Sequence, residues 1–151
     1  MEEKSDRFVD QNYRLQDFYK KVEVECPKCQ KKAVAERRDE EKLAILSCSH
    51  CGHSEKASME VAFGKTTGTV LISADEYFNC SLWYISEFKN EVFWALNLEH
   101  LKYLEDYIGA KLREHKDRTH FTLLEKLPKF YHEKKNREAL LKLISKLKDK
   151  K

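Results

Sequence analysis

Apolar residues recur along this chain in two rhythms, and the change of rhythm divides it. Between residues 22 and 57 the rhythm is two. Val22-Glu-Val-Glu-Cys26 and Leu43-Ala-Ile-Leu-Ser-Cys48 each run as a strand into a cysteine. Ala33-Val-Ala-Glu-Arg-Arg38 and His53-Ser-Glu-Lys-Ala57 lead away again, and Arg38-Asp-Glu-Glu-Lys42 supplies a charged turn. Period-two runs bounded by turn residues are the strand signal. Further on, Leu82-Trp-Tyr-Ile85 and Val92-Phe-Trp-Ala-Leu96 are aromatic and β-rich. Phe88-Lys-Asn-Glu91 lies between them as the turn of a hairpin, and Val70-Leu-Ile-Ser73 is expected to add a strand.

From Asn97 the rhythm becomes helical. Leu98, Leu101, Leu104, Ile108 and Leu112 are spaced by three and four, and Tyr103 and Tyr107 broaden the stripe. Asn97 is a good N-cap, so a helix is expected from Leu98 to about Glu114. A second helix is expected over Thr119–Leu127, stopping at Pro128, where the ring breaks the hydrogen-bond ladder. A third is expected from Asn136 through Leu147, with Leu140, Leu143, Ile144 and Leu147 as its apolar stripe. Lys135, Lys142, Lys146 and Lys150 align on another face of it.

Charge adds an asymmetry to this picture. The 151 residues carry a net of +3, but residues 1–110 carry −5 and residues 111–151 carry +8. A basic C-terminal part is a potential contact for a negatively charged partner, most often nucleic acid, and equally a common solvated surface. The candidate phosphate contacts are Lys129, Lys134, Lys135, Arg137, Lys142 and Lys146. The chain is 36% charged, and its longest strictly apolar run, residues 92–96, is five residues, against about 20 for a membrane-spanning helix. Residues 1–15 hold seven charged residues and no apolar core of a signal peptide, so a cytoplasmic location is expected.

The cysteines carry the most specific signal. Cys26-Pro-Lys-Cys29 is followed, after 18 residues, by Cys48-Ser-His-Cys51. Two CxxC turns at this spacing can bring four sulfurs into a tetrahedron around one zinc ion. Gly52 follows the second pair, where a left-handed backbone is often needed, and Gln30 stands at the matching place after the first. Disulfides do not suit a chain without a secretory signature. A redox CxxC requires a βαβ context that is missing. An S₄ site also accepts iron, but iron knuckles of this type usually have a wider gap and glycine after both pairs, so zinc is favoured. Four thiolates leave no open coordination position, so the ion would stabilise the fold rather than activate water. His50 and His53 are expected not to be ligands but to contact a partner or sit in solvent, and Cys80 to be an apolar filler.

Other motifs lead nowhere catalytic. Gly64-Lys65-Thr66 resembles the end of a phosphate-binding loop, but the first glycine of that loop would fall at Met59. Trp83 and Trp94 could stack bases, yet core packing is the better expectation. No spacing links a nucleophile, a base and an orienting residue, so no enzymatic activity and no small-molecule substrate are expected.

Taken with Leu82-Trp83, Phe93-Trp94-Ala95-Leu96-Asn97, His100-Leu101, Tyr103-Leu104-Glu105, Leu112-Arg113-Glu114, Leu127-Pro128-Lys129 and Lys135-Asn136-Arg137-Glu138, the paired cysteines resemble small bacterial transcription-factor-IIB-type zinc-ribbon proteins. The resemblance covers most of residues 20–147. It implies one structural zinc at Cys26, Cys29, Cys48 and Cys51 and implies no activity, because a shared ribbon does not carry function.

The expected fold is α+β: an N-terminal Cys₄ ribbon of three short antiparallel strands, a β-hairpin, and two to three C-terminal helices. The expected divisions are an N-terminal segment (1–17), the ribbon (18–59), a hairpin region (60–97) and a basic helical region (98–151). Two kinds of partner fit: DNA or RNA on the basic face, or a larger protein machine to which the chain is an adaptor.

Overall fold

A computed structural model of the 151-residue chain describes residues 13–110 and 127–151 in full, and the backbone of 7–10 and 112–115. The architecture is α+β. Strands β2 (Lys21–Glu25), β3 (Lys32–Arg38), β4 (Leu43–Ser47) and β5 (Ser54–Ser58) form one antiparallel sheet in sequence order. The expected ribbon of three strands therefore has four, because Ser54–Ser58 pairs along the whole of β4. One face of the sheet is set by the alternation: Val22, Val24, Ala33, Ala35, Ala44 and Leu46 are fully or almost fully buried. Val22 lies opposite Ala35, and Ala35 opposite Leu46, so the small alanines sit between larger residues and let the core approach closely.

Two hairpins follow, β6 (Glu60–Phe63) with β7 (Thr66–Thr69), and β8 (Tyr84–Phe88) with β9 (Glu91–Ala95). The second was expected. Its two-residue loop, Lys89-Asn90, has positive φ at both positions, as the tight hairpin turn demands. The first replaces the strand expected at Val70–Ser73. Three of their backbone groups are taken by side chains instead. Tyr77 donates its hydroxyl to the Val70 carbonyl and accepts from the Ile72 amide, and Arg37 donates to the Ile72 carbonyl. Gly64-Lys65-Thr66 is thus hairpin turn and first strand residue, not a phosphate loop; Gly64 supplies the positive φ of 64°.

Helix α1 spans Leu98–Gly109, with the Asn97 side chain accepting from the His100 amide at 2.8 Å. It ends a turn and more before the expected Glu114. The stripe continues to Leu112, but Ala110 is extended and buried, its carbonyl accepting from Arg137 at 3.0 Å. Leu112–His115 forms β10, paired in parallel with β1 (Arg7–Asp10). Gly109, a poor helix former, lies against Leu141. Helix α2 spans Arg137–Lys148, burying Leu140, Ile144 and Leu147 as expected, with Leu143 half-buried. The helix expected at Thr119–Leu127 falls, but for Leu127, on residues outside those described; Leu127 itself is in a bend.

The ribbon sheet is joined to the C-terminal part along the outer edge of β2. Glu23 donates its amide to the Leu96 carbonyl and accepts from the Trp83 amide, and Glu25 donates to the Ser81 carbonyl. The Leu98 amide donates to the Glu23 carboxylate at 2.7 Å. Val22, Leu46, Phe93, Leu101, Leu104 and Ile144 belong to one continuous core. Among the described residues, no helix is long and apolar enough to cross a membrane.

Candidate metal centre

Each cysteine pair sits in a tight turn at the end of a strand pair, and the two turns are built alike. After β2, the Cys26 amide donates to the Lys31 carbonyl and the Gln30 amide to the Cys26 carbonyl, at 2.8 and 3.0 Å. After β4, the Cys48 amide donates to the His53 carbonyl and the Gly52 amide to the Cys48 carbonyl, both at 2.9 Å. Gln30 and Gly52, four residues after the first cysteine of each turn, share a left-handed backbone with φ of 62° and 79°. The correspondence inferred from sequence position is therefore a correspondence of geometry. Gln30 bears the Cβ strain that Gly52 avoids.

These turns bring all four sulfurs within 4.8 Å of one another. Cys26 Sγ lies 3.7 Å from Cys51 Sγ, and Cys29 Sγ lies 3.6 Å from Cys48 Sγ. A tetrahedron of metal–sulfur bonds of 2.3 Å has sulfurs about 3.8 Å apart, whereas a disulfide brings them to about 2.05 Å. The spacing therefore suits a metal ion, and all the cysteines are free thiols. The four residues could hold one ion, with Cys26 and Cys48 buried, Cys29 half-buried and Cys51 facing solvent.

Backbone amides distinguish the thiols. The amide of Cys29 bonds the Cys26 sulfur and holds its thiol below the ordinary range, with Lys28 adding a second N–H at 3.4 Å. The amide of Cys51 does the same for Cys48, lowering it to about 7. Cys29 is pushed up to about 12 by desolvation. In each turn, N–H groups aimed back at the sulfur of the first cysteine favour its thiolate.

Neither histidine joins this cluster. His50 is exposed, and His53 pairs with Glu55 at 2.8 Å. Cys80 is half-buried against the core, and desolvation raises its thiol. Trp83 is core, buried with the Lys150 ammonium 4.2 Å from its ring centre, and Trp94 is half-buried against His100.

The basic residues of the C-terminal part fall into two groups. Lys129, Lys134, Lys142 and Lys146 are exposed and have no ion pair or hydrogen bond among the described residues, and Lys142 and Lys146 lie one turn apart on α2. Lys135 pairs with Glu133 at 3.0 Å, and the half-buried Arg137 is committed to the Ala110 carbonyl. Arg137's partner lies 27 residues away and is not visible in the local sequence, whereas Lys135 pairs with a neighbour two residues before it.

Comparison with known proteins gives no match among family models, curated proteins or solved structures.

Proposed function

We propose that the protein is a zinc-ribbon protein that holds one structural zinc ion and binds nucleic acid through its basic C-terminal face. An S₄ set accepts zinc or iron. The 18-residue separation of the pairs and Gln30 in place of a second glycine support zinc. A four-thiolate set has no position left for water, which supports a structural role. Metal analysis of the purified protein tests this part; zinc at one ion per chain is expected, and a coloured iron protein overturns it.

The observation that carries nucleic-acid binding is the set of four exposed, unpaired lysines, 129, 134, 142 and 146. Residues 127–151 hold nine Lys/Arg against three Asp/Glu. Four phosphate contacts correspond to a slope of log affinity against log salt of about −3 on single strands and about −4 on duplex. Lys142→Glu with Lys146→Glu is expected to weaken binding and to flatten that slope by about half. Fluorescence anisotropy with labelled DNA and RNA across a salt series measures both; an unchanged slope overturns the assignment.

A second reading, a protein adaptor, is supported by the outer face of β8–β9. Ile85 and Val92 are exposed there, and Trp94 stands opposite Ile85. Absence of any nucleic-acid binding at low salt would leave this reading in place.

A further inference from the structure

The β6–β7 hairpin buries none of its residues, yet it ends in a phenylalanine. Phe63 is 60% exposed, the most exposed aromatic among the described residues. Its position is built rather than accidental. The ring lies over Gly68 of the neighbouring strand, and a Cβ at Gly68 would come within 3.1 Å of it. Thr66 Oγ donates to the Phe63 carbonyl at 2.9 Å and fixes the tip. One side of the ring therefore rests on the hairpin backbone while solvent reaches the rest of it. Shielding the Gly68 backbone explains the first contact and leaves the exposed remainder unexplained.

The charge around the ring narrows the choice of partner. Alternation places Val61, Phe63, Thr66 and Gly68 on one face of the hairpin. That face carries no carboxylate. Glu60, the one acid of the hairpin, belongs to the other face and is paired with Lys42 at 3.2 Å. Lys65, in the turn next to Phe63, is exposed and has no partner among the described residues. A nucleic-acid base needs a single ring face, with a cation near its phosphate.

We propose that Phe63 is a base-stacking residue for single-stranded nucleic acid, with Lys65 meeting the adjoining phosphate. The proposal rests on the nucleic-acid reading above and adds a strand preference to it. Stacking on an aromatic ring is not a counterion effect, so it shifts affinity without changing the salt slope. Phe63→Leu keeps a side chain over Gly68 and removes the aromatic face; Phe63→Trp keeps both.

The test is anisotropy of zinc-loaded protein with labelled oligothymidylate, oligouridylate and a duplex, over the same salt series. Phe63→Leu is expected to weaken single-strand binding about 5- to 100-fold at every salt concentration, with the slope unchanged and duplex binding unaffected. Phe63→Trp is expected to bind at least as well as the parent, its added tryptophan fluorescence quenched by the oligonucleotide. Wild-type affinity in Phe63→Leu, or an equal loss on duplex, overturns the stacking role. If Lys142→Glu with Lys146→Glu still flattens the slope, the basic face stands when stacking fails. If the wild type binds none of the three probes, both readings fall. Thermal melts of each variant, expected to match the parent, show that the hairpin change has left the fold intact.

Discussion

Gln30 and Gly52 occupy equivalent places in the two cysteine turns, and only one of them is a glycine. A side chain in the left-handed region costs about 1–2 kcal/mol. Nothing lies within 4 Å of a Cβ placed on Gly52, so the cost there is one of backbone alone. Gln30→Gly is therefore expected to stabilise the metal-loaded protein by about 1 kcal/mol, less what glycine adds to the freedom of the unfolded chain. Gly52→Ala is expected to destabilise it by about as much. Denaturant melts with excess metal measure both; a loss of stability in Gln30→Gly would show that the Gln30 side chain contributes more than its strain removes.

His100 is the other residue with a sharp consequence. It is 1% exposed, stacked on Phe18 at 4.8 Å, with Nδ1 accepting from the Leu96 amide at 3.0 Å. An accepting Nδ1 places the proton of the neutral ring on Nε2, which has no partner among the described residues. Burial lowers its pKa to about 4 from an ordinary 6.5. Above pH 6.5 the ring is neutral both folded and unfolded, and stability is unaffected. Between 6.5 and 4 the unfolded chain takes up the proton and the fold does not, so stability falls by about 2 kcal/mol at pH 5. His100→Phe removes this term. The stability difference between the two proteins cancels the proton competition at the thiolates, which both share. That difference is expected to shift toward the variant by about 2 kcal/mol from pH 7 to pH 5; a constant difference contradicts a neutral buried His100.

At the scale of elements, what was legible in the sequence is what neighbouring residues decide. The cysteine turns, the Asn97 cap, the Lys89-Asn90 turn and the buried stripe of α2 all follow from spacings of a few residues. The failures come from distant partners. Nothing near Leu112 says that the chain leaves α1 to pair with Arg7–Asp10, and Ala110 turns away where Arg137 meets its carbonyl. Val70–Ser73 looks like a strand until Tyr77 and Arg37 occupy its backbone groups. The β6–β7 hairpin is different, because its signal was local. A two-residue Gly-Lys loop is a hairpin turn of the kind that places glycine first, even though Gly64-Lys65-Thr66 resembles the end of a phosphate-binding loop. Asn136 shows how such ties work. It is buried, accepts from Lys89 at 2.9 Å and donates to the Phe130 carbonyl at 3.2 Å, so one side chain joins the β8–β9 turn, the chain before α2, and α2 itself. Asn136→Ala leaves the Phe130 carbonyl without its donor, an expected loss of about 1–3 kcal/mol. A thermal melt that does not move would show that water replaces both bonds.

Across the whole molecule, the cysteine turns and the helices belong to one core. β2 leads directly into Cys26, and its outer edge hydrogen-bonds to residues 81, 83 and 96. Val22 and Leu46, which the cysteine turns hold in register, share that core with Leu101 of α1 and Ile144 of α2. A ribbon that folded by itself would lose its metal and leave the helices standing. Here the buried face of the sheet belongs to the same core as the helices, so its loss exposes part of that core. Structural zinc contributes on the order of 10 kcal/mol to folding in small zinc modules, and a domain of ordinary size is stable by only about 5–15 kcal/mol in total. Removing the metal with a strong chelator is therefore expected to abolish the helical circular-dichroism signal together with the near-ultraviolet signal of the buried Trp83, in a single transition, and metal return to restore both. If the helical signal survives chelation while only the sheet is lost, the continuous core does not make one cooperative unit, and the edge bonds of β2 are too weak to couple the two halves.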